Sequence, residues 1–311
     1  MEDYPTNLLE FEQRFRTERA CRDYLQRMRW PDGFRCPRCG SSKYWLTNRE
    51  LYHCVACGLQ TSLLAGTMLQ DSRKPLQLWF RAMWHLTSQK YGANALGLQR
   101  LLALGSYRTA WVWLHKLRRA MVRPGRDRLT GVVEVDETYV GGQNKPGKHG
   151  RGAAGKSLVI VAAQEDGKRI GRIRLCRVPD ASGKSLTDAV KATVEPGSTV
   201  HTDGLKSYSG LADSGYLHQI TRKKEAVGVD LLPKVHRVAS LLKRWLLGTY
   251  QGAVEPAHLD YYLDEFTFRF NRRTSRSRGK LFYRLVQQAA AIAPVPAKRI
   301  CGGTQNPEHN V

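Results

Sequence analysis

Hydrophobic residues change their spacing near the middle of the chain. Up to about residue 124 they recur at helical intervals, with predicted helices opening at Pro75 and covering Ala93–Ala103 and about 108–122. Beyond that point, β-branched runs predict strands. The predicted strands are 129–135, 157–164, 170–178, 198–202 and 218–221, and the predicted later helices are 182–194, 206–212, 234–248, 256–270 and 279–292. Three strands followed by alternating helices and strands predict a layered α/β domain.

Turns and changes in composition divide the chain into five segments. The predicted segments are an N-terminal helical segment (1–35), a cysteine-rich ribbon (36–60), a helical segment (73–124), an α/β domain (129–271), and a basic C-terminal helix with a tail (272–311). The fold class is therefore multidomain.

Four of the seven cysteines form two tight pairs. Cys36 and Cys39 make the first CxxC, Cys54 and Cys57 make the second, and a glycine follows each pair. Four thiolates at this spacing satisfy tetrahedral Zn²⁺, and each glycine allows the backbone to turn back toward the metal. We predict a structural zinc site and, without a recognisable signal peptide, a reducing compartment. A redox role is disfavoured, because redox CxxC motifs normally occur singly beside a βαβ unit.

The charge balance indicates a polyanionic partner. Fifty Lys and Arg against 27 Asp and Glu leave a net charge of +23. Counterion release from phosphates would favour binding to nucleic acid. An acidic membrane surface is the alternative, but no basic amphipathic helix, secretory segment or transmembrane segment stands out. We expect a cytoplasmic, DNA-associated protein.

Two basic regions are candidate DNA contacts. Residues 93–122 can form a helix–turn–helix whose second helix presents basic side chains. The candidates there are Arg108, Lys116, Arg118 and Arg119, with Trp111, Leu114 and Leu117 packing inward. Arg272 and Arg273 open a second basic run. The alternative for both regions is a solvated basic surface.

Acidic residues accompany two of the predicted strands. Asp136 follows the run Val132–Val135, and Asp203 closes the short strand that ends near Thr202. Two carboxylates at the ends of adjacent strands can share the divalent cations used in phosphoryl transfer. An aspartate before a glycine is also a common turn residue, so the pair alone leaves both interpretations open.

Longer motifs carry a specific family resemblance. The segments are RWPDGFRCPRCG, LAGTMLQDSRKPLQLWF, VDETYVGG, HTDGLKSY, HRVASLLKRWLLGTYQG and YLDEFTFRFNRR. From Phe11 to about Lys280 the chain resembles bacterial insertion-sequence transposases with an N-terminal zinc ribbon and a DDE-type core (the ISXO-like group). The resemblance implies a ribonuclease-H-like mixed sheet, catalytic Mg²⁺ or Mn²⁺, and Asp136 and Asp203 as the first two catalytic metal ligands.

The third ligand position departs from the family pattern. The resemblance places it on a helix, with six residues between it and a lysine that contacts the transposon end. That lysine maps to Lys243, beside Arg244, and the third position is His236 where relatives commonly carry Glu or Asn. A neutral imidazole can ligate metal but brings no charge, which would favour Mn²⁺. Glu225, Asp230 and Glu255 are rivals, whereas Glu134 and Glu137 are expected on the opposite strand face or at the rim.

These observations predict a transposase that binds terminal inverted repeats and catalyses metal-dependent DNA cleavage and strand transfer. Its expected partners are double-stranded DNA at the transposon ends and the target, and a second copy of the chain. The alternative is a catalytically inactive zinc-ribbon regulator derived from a transposase, which His236 keeps open. A simple nuclease is disfavoured, because it needs no sequence-specific DNA reader.

Overall fold

The computed structural model describes residues 2–123, 125–141, 156–221, 230–252 and 254–302. The described residues form two compact units, one of 2–123 with 275–302 and one drawn from 125–274. No helix in the described ranges is both long and apolar enough to cross a bilayer.

The first unit combines helices with a small ribbon. Its helices are α1 (Leu8–Arg14), α2 (Glu18–Arg29), α3 (Leu76–Ser88), α4 (Ala95–Leu101), α5 (Tyr107–Arg119), α9 (Arg278–Ala291) and α10 (Ala297–Cys301), and its strands are β1 (Tyr44–Leu46), β2 (Tyr52–Cys54) and β3 (Gln60–Thr61). The three strands form an antiparallel sheet in chain order.

An aromatic core holds this unit together. Phe282 of α9 contacts the rings of Phe11, Phe15 and Phe80, and all four side chains are buried. Helix α9 thereby packs against α2 and α3, although more than 180 residues separate it from them in sequence. A Cβ on Gly279 would lie 1.6 Å from a backbone oxygen of the N-terminal segment, so this close approach requires glycine.

The second unit contains a five-stranded mixed sheet. Its strands are β4 (Val132–Val140), β5 (Ser157–Asp166), β6 (Arg169–Val178), β7 (Thr199–Thr202) and β8 (Leu217–Ile220). Its helices are α6 (Gly183–Thr193), α7 (Pro233–Tyr250) and α8 (Leu259–Phe270), with 3₁₀ segments at Lys206–Ser214 and Pro256–His258.

The strand order and directions confirm the predicted fold. The order is β6-β5-β4-β7-β8; β4, β5 and β6 are antiparallel neighbours, whereas β7 pairs parallel with both β4 and β8. Side chains of α7 and α8 pack on one face of the sheet, and side chains of α6 and the 206–214 segment pack on the other. This is a ribonuclease-H-like arrangement with β4 at its centre.

Strand β4 extends beyond its predicted end at residue 135. The stretch Asp136–Val140 continues the antiparallel pairing with β5 as far as Ser157. Because pairing on β5 satisfies the backbone, the polar residues Asp136, Glu137 and Thr138 remain in the strand. Asp136 therefore lies in the middle of β4 and not at its end. Helix α7 likewise continues through Gly248 to Tyr250, past the break expected there.

Candidate catalytic and zinc sites

The four paired cysteines converge in the ribbon. Their sulfur atoms all lie within 4.8 Å of one another, with Cys36–Cys57 and Cys39–Cys54 separations of 3.6 Å. A tetrahedron of Zn–S bonds places sulfurs about 3.8 Å apart, so the geometry fits Zn²⁺. Among the described residues, these four cysteines are the one set of three or more potential metal ligands whose ligand atoms all lie within 4.8 Å of one another.

The two CxxC turns are built alike. The N–H of Gly40 donates to the Cys36 carbonyl at 2.9 Å, and the N–H of Gly58 donates to the Cys54 carbonyl at 3.0 Å. Both glycines have φ near +70°, the left-handed conformation that glycine adopts without strain. Although burial opposes the shift, backbone N–H groups in the first turn lower the pKa of the Cys36 thiol to about 6. The backbone of each turn therefore favours a thiolate at its first cysteine, Cys36 and Cys54, whereas at Cys39 a backbone hydrogen bond is outweighed by hydrogen bonds with the neighbouring thiols, which raise its pKa.

The two candidate aspartates lie at the centre of the mixed sheet. Glu134 is paired with His201 between the parallel strands β4 and β7. Two residues further along the chain from this pair are Asp136, within β4, and Asp203, just past the end of β7 at Thr202, so the register leads both carboxylates to the same edge of the pairing. Burial and the charge of Asp203 raise the pKa of Asp136, although hydrogen bonds from the Glu137 backbone and His236 oppose the rise.

Helix α7 brings His236 to Asp136. His236 lies in the first turn of α7, and its Nε2 is 3.3 Å from Oδ2 of Asp136. Its other ring nitrogen, Nδ1, is 2.5 Å from Oδ1 of Asp230. The imidazole is half exposed and connects two carboxylates, one on the sheet and one before the helix.

The three rivals for the third position have different surroundings. Asp230 contacts His236 from the far side of the imidazole ring and also accepts a hydrogen bond from the N–H of Leu232. Glu255 is 80% exposed and pairs with His258 at 3.5 Å. Glu225 lies outside the described residues. The sequence predicts Asp230 as an alternative third ligand in place of His236, whereas in the structure Asp230 contacts the His236 ring.

The flanking glutamates lie on opposite faces of β4. Glu137 faces the 206–214 segment, where it accepts a hydrogen bond from the Tyr208 hydroxyl at 3.1 Å. Glu134 shares the face of Asp136 because side chains two residues apart point the same way. The expectation that Glu134 points to the opposite face or the rim is therefore wrong. It is 3% exposed and contacts the start of α7.

Lys243 lies two turns after His236 on α7 and borders a cavity of about 370 Å³. Lys156 and Tyr139 also line the cavity, together with apolar residues of α7. Desolvation and the neighbouring charge of Lys156 lower the pKa of Lys243, while Asp136 opposes the shift. The cavity is thus lined by two lysines, and Lys243 is near enough to Asp136 for the carboxylate charge to act on it. Arg244, the next residue, is exposed.

The basic residues of α5 divide into exposed and buried groups. Arg108 is exposed and Lys116 is half-buried. Arg118 and Arg119 are 1% and 6% exposed, contrary to the expected surface position. The Arg118 guanidinium reaches the Ala93 carbonyl, and that of Arg119 donates to the Ala293 carbonyl at 2.6 Å. Both buried side chains therefore join segments of the first unit.

Arg272 and Arg273 follow α8 and make local contacts. Their guanidinium groups each lie 4.1 Å from a ring centroid, of Phe268 and Phe270 respectively. Arg273 also donates to the carbonyl of Gly171 at 3.3 Å. These contacts fix the stems of the two side chains against the second unit.

Comparisons with known proteins match both the ribbon and the sheet. Residues 16–60 match the transposase zinc-ribbon domain, and residues 128–271 match the ISXO2-like transposase domain. A protein in transposable element ISH50 of Halobacterium salinarum is 26% identical over 298 residues, which cover 89% of this chain and 98% of the relative. The chain therefore belongs to the insertion-sequence transposases that combine a zinc ribbon with an ISXO2-like transposase domain.

Proposed function

We propose that this transposase binds the terminal inverted repeats of its element and catalyses metal-dependent DNA cleavage and strand transfer. The observation that carries the proposal is the position of His236, whose Nε2 lies 3.3 Å from Asp136 on the central strand β4, next to the parallel strand that leads to Asp203. The three candidate ligands come from β4, from the residue that follows its parallel neighbour β7, and from α7. Rigid elements of this kind suit a reaction that depends on positioning and charge neutralisation.

The donor atoms fit a hard divalent cation. Adjacent ligands of an octahedral ion with bonds near 2.1 Å lie about 3 Å apart. The 3.3 Å separation between Asp136 and His236 is close to that value. Asp136, Asp203 and His236 would hold Mg²⁺ or Mn²⁺, with Mn²⁺ favoured by the imidazole. Such an ion activates water and stabilises charge on the reacting phosphate.

Asp230 supports a ligand role for His236. A carboxylate beside Nδ1 favours the tautomer that carries its proton there, which leaves the lone pair of Nε2 facing Asp136. With a cation bound, that lone pair would take the place of the hydrogen bond that His236 otherwise donates to Asp136. This explains how histidine can occupy a position where relatives commonly carry Glu or Asn.

The lysine-lined cavity supports contact with the transposon end. Lys243 and Lys156 place two positive charges beside the carboxylates, and their repulsion is relieved when an anion binds. A backbone phosphate at the reacting end supplies that anion. Arg244 lies next to Lys243 on the exposed surface of α7.

The remaining DNA contacts are assigned to the first unit and to the end of α8. We assign repeat binding to the zinc ribbon and to the start of α5, where Arg108 is exposed, since recognition helices read bases with their N-terminal residues. Lys116, Arg272 and Arg273 supplement the backbone contacts. The net charge of +23 favours this polyanion. Pairing of two transposon ends requires at least a dimer, and the substrate implies a cytoplasmic, nucleoid-associated protein.

Cleavage of a labelled duplex that carries the element's own terminal repeat tests the proposal. The native chain, Asp136→Asn and His236→Ala are compared in Mg²⁺ and in Mn²⁺. We expect nicking at the repeat boundary by the native chain and loss in both variants. Loss in Asp136→Asn alone would move the third ligand away from His236. Tight binding without nicking in either metal would favour the inactive regulator.

A further inference from the structure

Helix α7 begins without a capping side chain of its own. Leu232 occupies the N-cap position and makes no side-chain hydrogen bond there, and Pro233 follows. The next two backbone N–H groups, those of Lys234 and Val235, donate to Oε2 of Glu134 at 2.8 and 3.0 Å. A carboxylate from β4 therefore serves as the cap, and its charge is also favoured by the helix dipole.

The other oxygen of Glu134 is also bound. The Lys234 ammonium lies 3.3 Å from Oε1 of Glu134 and 2.9 Å from Oε1 of Glu165 on β5. Burial lowers the pKa of Lys234, but the bonds to Glu165 and Glu134 outweigh it and raise the pKa overall. Glu134 is 3% exposed, and these donors compensate for the cost of burying its charge.

Glu134 links the two elements that carry the candidate metal ligands. It stands two residues before Asp136 on the same face of β4, and its bonded partner Val235 stands one residue before His236. We propose that Glu134 is a positioning residue whose carboxylate fixes the first turn of α7 on β4 and so sets the distance between Asp136 and His236. The inference rests on the proposed function of that site.

Glu134→Gln tests the link with little change in volume. The glutamine carbonyl oxygen can still accept both backbone N–H groups, but the side chain carries no charge for the helix terminus, and its NH2 group meets the Lys234 ammonium donor against donor. We expect the dissociation constant for Mn²⁺ alone, measured by electron paramagnetic resonance on the zinc-loaded full chain, to rise roughly 10- to 100-fold. Cleavage should fall mainly in kcat, with the KM for DNA unchanged.

The first unit offers a matched control. Glu18 of α2 accepts a hydrogen bond from the N–H of Leu76 on Oε1 at 2.9 Å and one from the N–H of Gln77 on Oε2 at 3.2 Å, so its carboxylate also caps a helix, α3, but with both oxygens. Glu18→Gln removes the same kind of cap away from the carboxylates. We expect it to lower the melting temperature and to leave the dissociation constant for Mn²⁺ unchanged.

Two further variants keep the inference testable if Glu134→Gln folds poorly. Lys234→Met removes the ammonium but keeps both backbone donors, so it should retain near-native Mn²⁺ binding. Glu134→Asp keeps the charge with a shorter reach, so its binding should be intermediate between Glu134→Gln and the native chain. Native binding in Glu134→Gln or Glu134→Asp, or equal weakening by Glu18→Gln, would overturn the inference.

Failure of this inference differs from failure of the proposed function. Asp136→Asn should abolish Mn²⁺ binding whatever Glu134 does. A native chain that binds no Mn²⁺, or an Asp136→Asn variant that binds like the native chain, would contradict the metal site itself. Weakening by Asp136→Asn together with native binding by Glu134→Gln would contradict only the positioning role.

Discussion

Nε2 of His236 lies 3.3 Å from Oδ2 of Asp136, across the junction between the first turn of α7 and the middle of β4. Chain connectivity alone does not impose this distance, because about 100 residues separate the two positions. The sheet register, the Glu134 cap and the Asp230 contact act on it together. Substitutions at this site can therefore test the chemical identity of a metal ligand separately from its position.

Replacing His236 tests ligand chemistry. His236→Glu restores an anionic oxygen donor at a position where relatives commonly carry Glu or Asn, and Mg²⁺ prefers such donors to imidazole. We expect the ratio of cleavage rates in Mg²⁺ and Mn²⁺ to rise about tenfold or more relative to the native chain. Rates at saturating metal on the repeat duplex provide the measurement. An unchanged ratio would indicate that residue 236 does not contact the metal.

Replacing Asp230 tests ligand placement. Asp230→Asn keeps the size of the side chain but removes the charge beside Nδ1, so the imidazole loses its preferred tautomer and orientation. We expect Mn²⁺ affinity to fall roughly tenfold or more. Asp213→Asn, at an exposed position of the same unit, is the control and should bind as the native chain does. Equal Mn²⁺ affinities in Asp230→Asn and Asp213→Asn would show that Asp230 does not contribute to the metal site.

Part of this site was predictable from sequence. The β-branched runs gave the strands, and the family motifs gave Asp136, Asp203 and His236. Strand alternation places Glu134 on the same face as Asp136, since residues two apart in a strand share a face. The sequence does not show this, because it predicts that the strand ends at residue 135, before Asp136. Asp230 had no such signal, because its contact with His236 depends on how the chain enters α7.

Contacts between distant segments account for the other differences. Arg118 and Arg119 follow the spacing of a basic helical face, yet Ala93 and Ala293 carbonyls bind them in the interior. Burial of one helix by segments far away in sequence leaves no mark on that helix's own periodicity. The return of α9 to the N-terminal helices escapes sequence reasoning for the same reason.

The buried arginines give a prediction that separates stability from DNA binding. Arg118→Ala should lower the free energy of unfolding by about 2–4 kcal/mol, because it removes a fully buried side chain. Arg108→Ala, at an exposed position, should change it by less than about 0.5 kcal/mol and weaken repeat binding instead. Urea unfolding and a gel-shift titration measure the two effects. If Arg118→Ala folds with native stability but binds the terminal repeat more weakly, then Arg118 contacts DNA, contrary to the prediction.

Removal of zinc should expose a defined set of thiols. Burial raises the pKa of Cys21 to about 12 and that of Cys176 to about 11, so both should react slowly with alkylating agents at pH 8. We expect a chelator to release one zinc per chain and to make Cys36, Cys39, Cys54 and Cys57 reactive. Mass spectrometry after timed alkylation identifies the modified cysteines. Rapid labelling of the four before chelation would contradict a closed zinc site.

The lysine-lined cavity predicts how DNA binding depends on salt. Lys243→Gln removes one of the two positive charges that border the cavity, and with it one phosphate contact. We expect weaker binding of the terminal repeat and a salt dependence whose logarithmic slope is smaller by about one. Lys191→Gln removes the same charge from an exposed position on α6 and should leave the slope unchanged. Because both variants have the same net charge, a general loss of attraction would move both slopes equally. Only a specific contact at the cavity moves the Lys243 slope alone, and equal slopes would reject that contact.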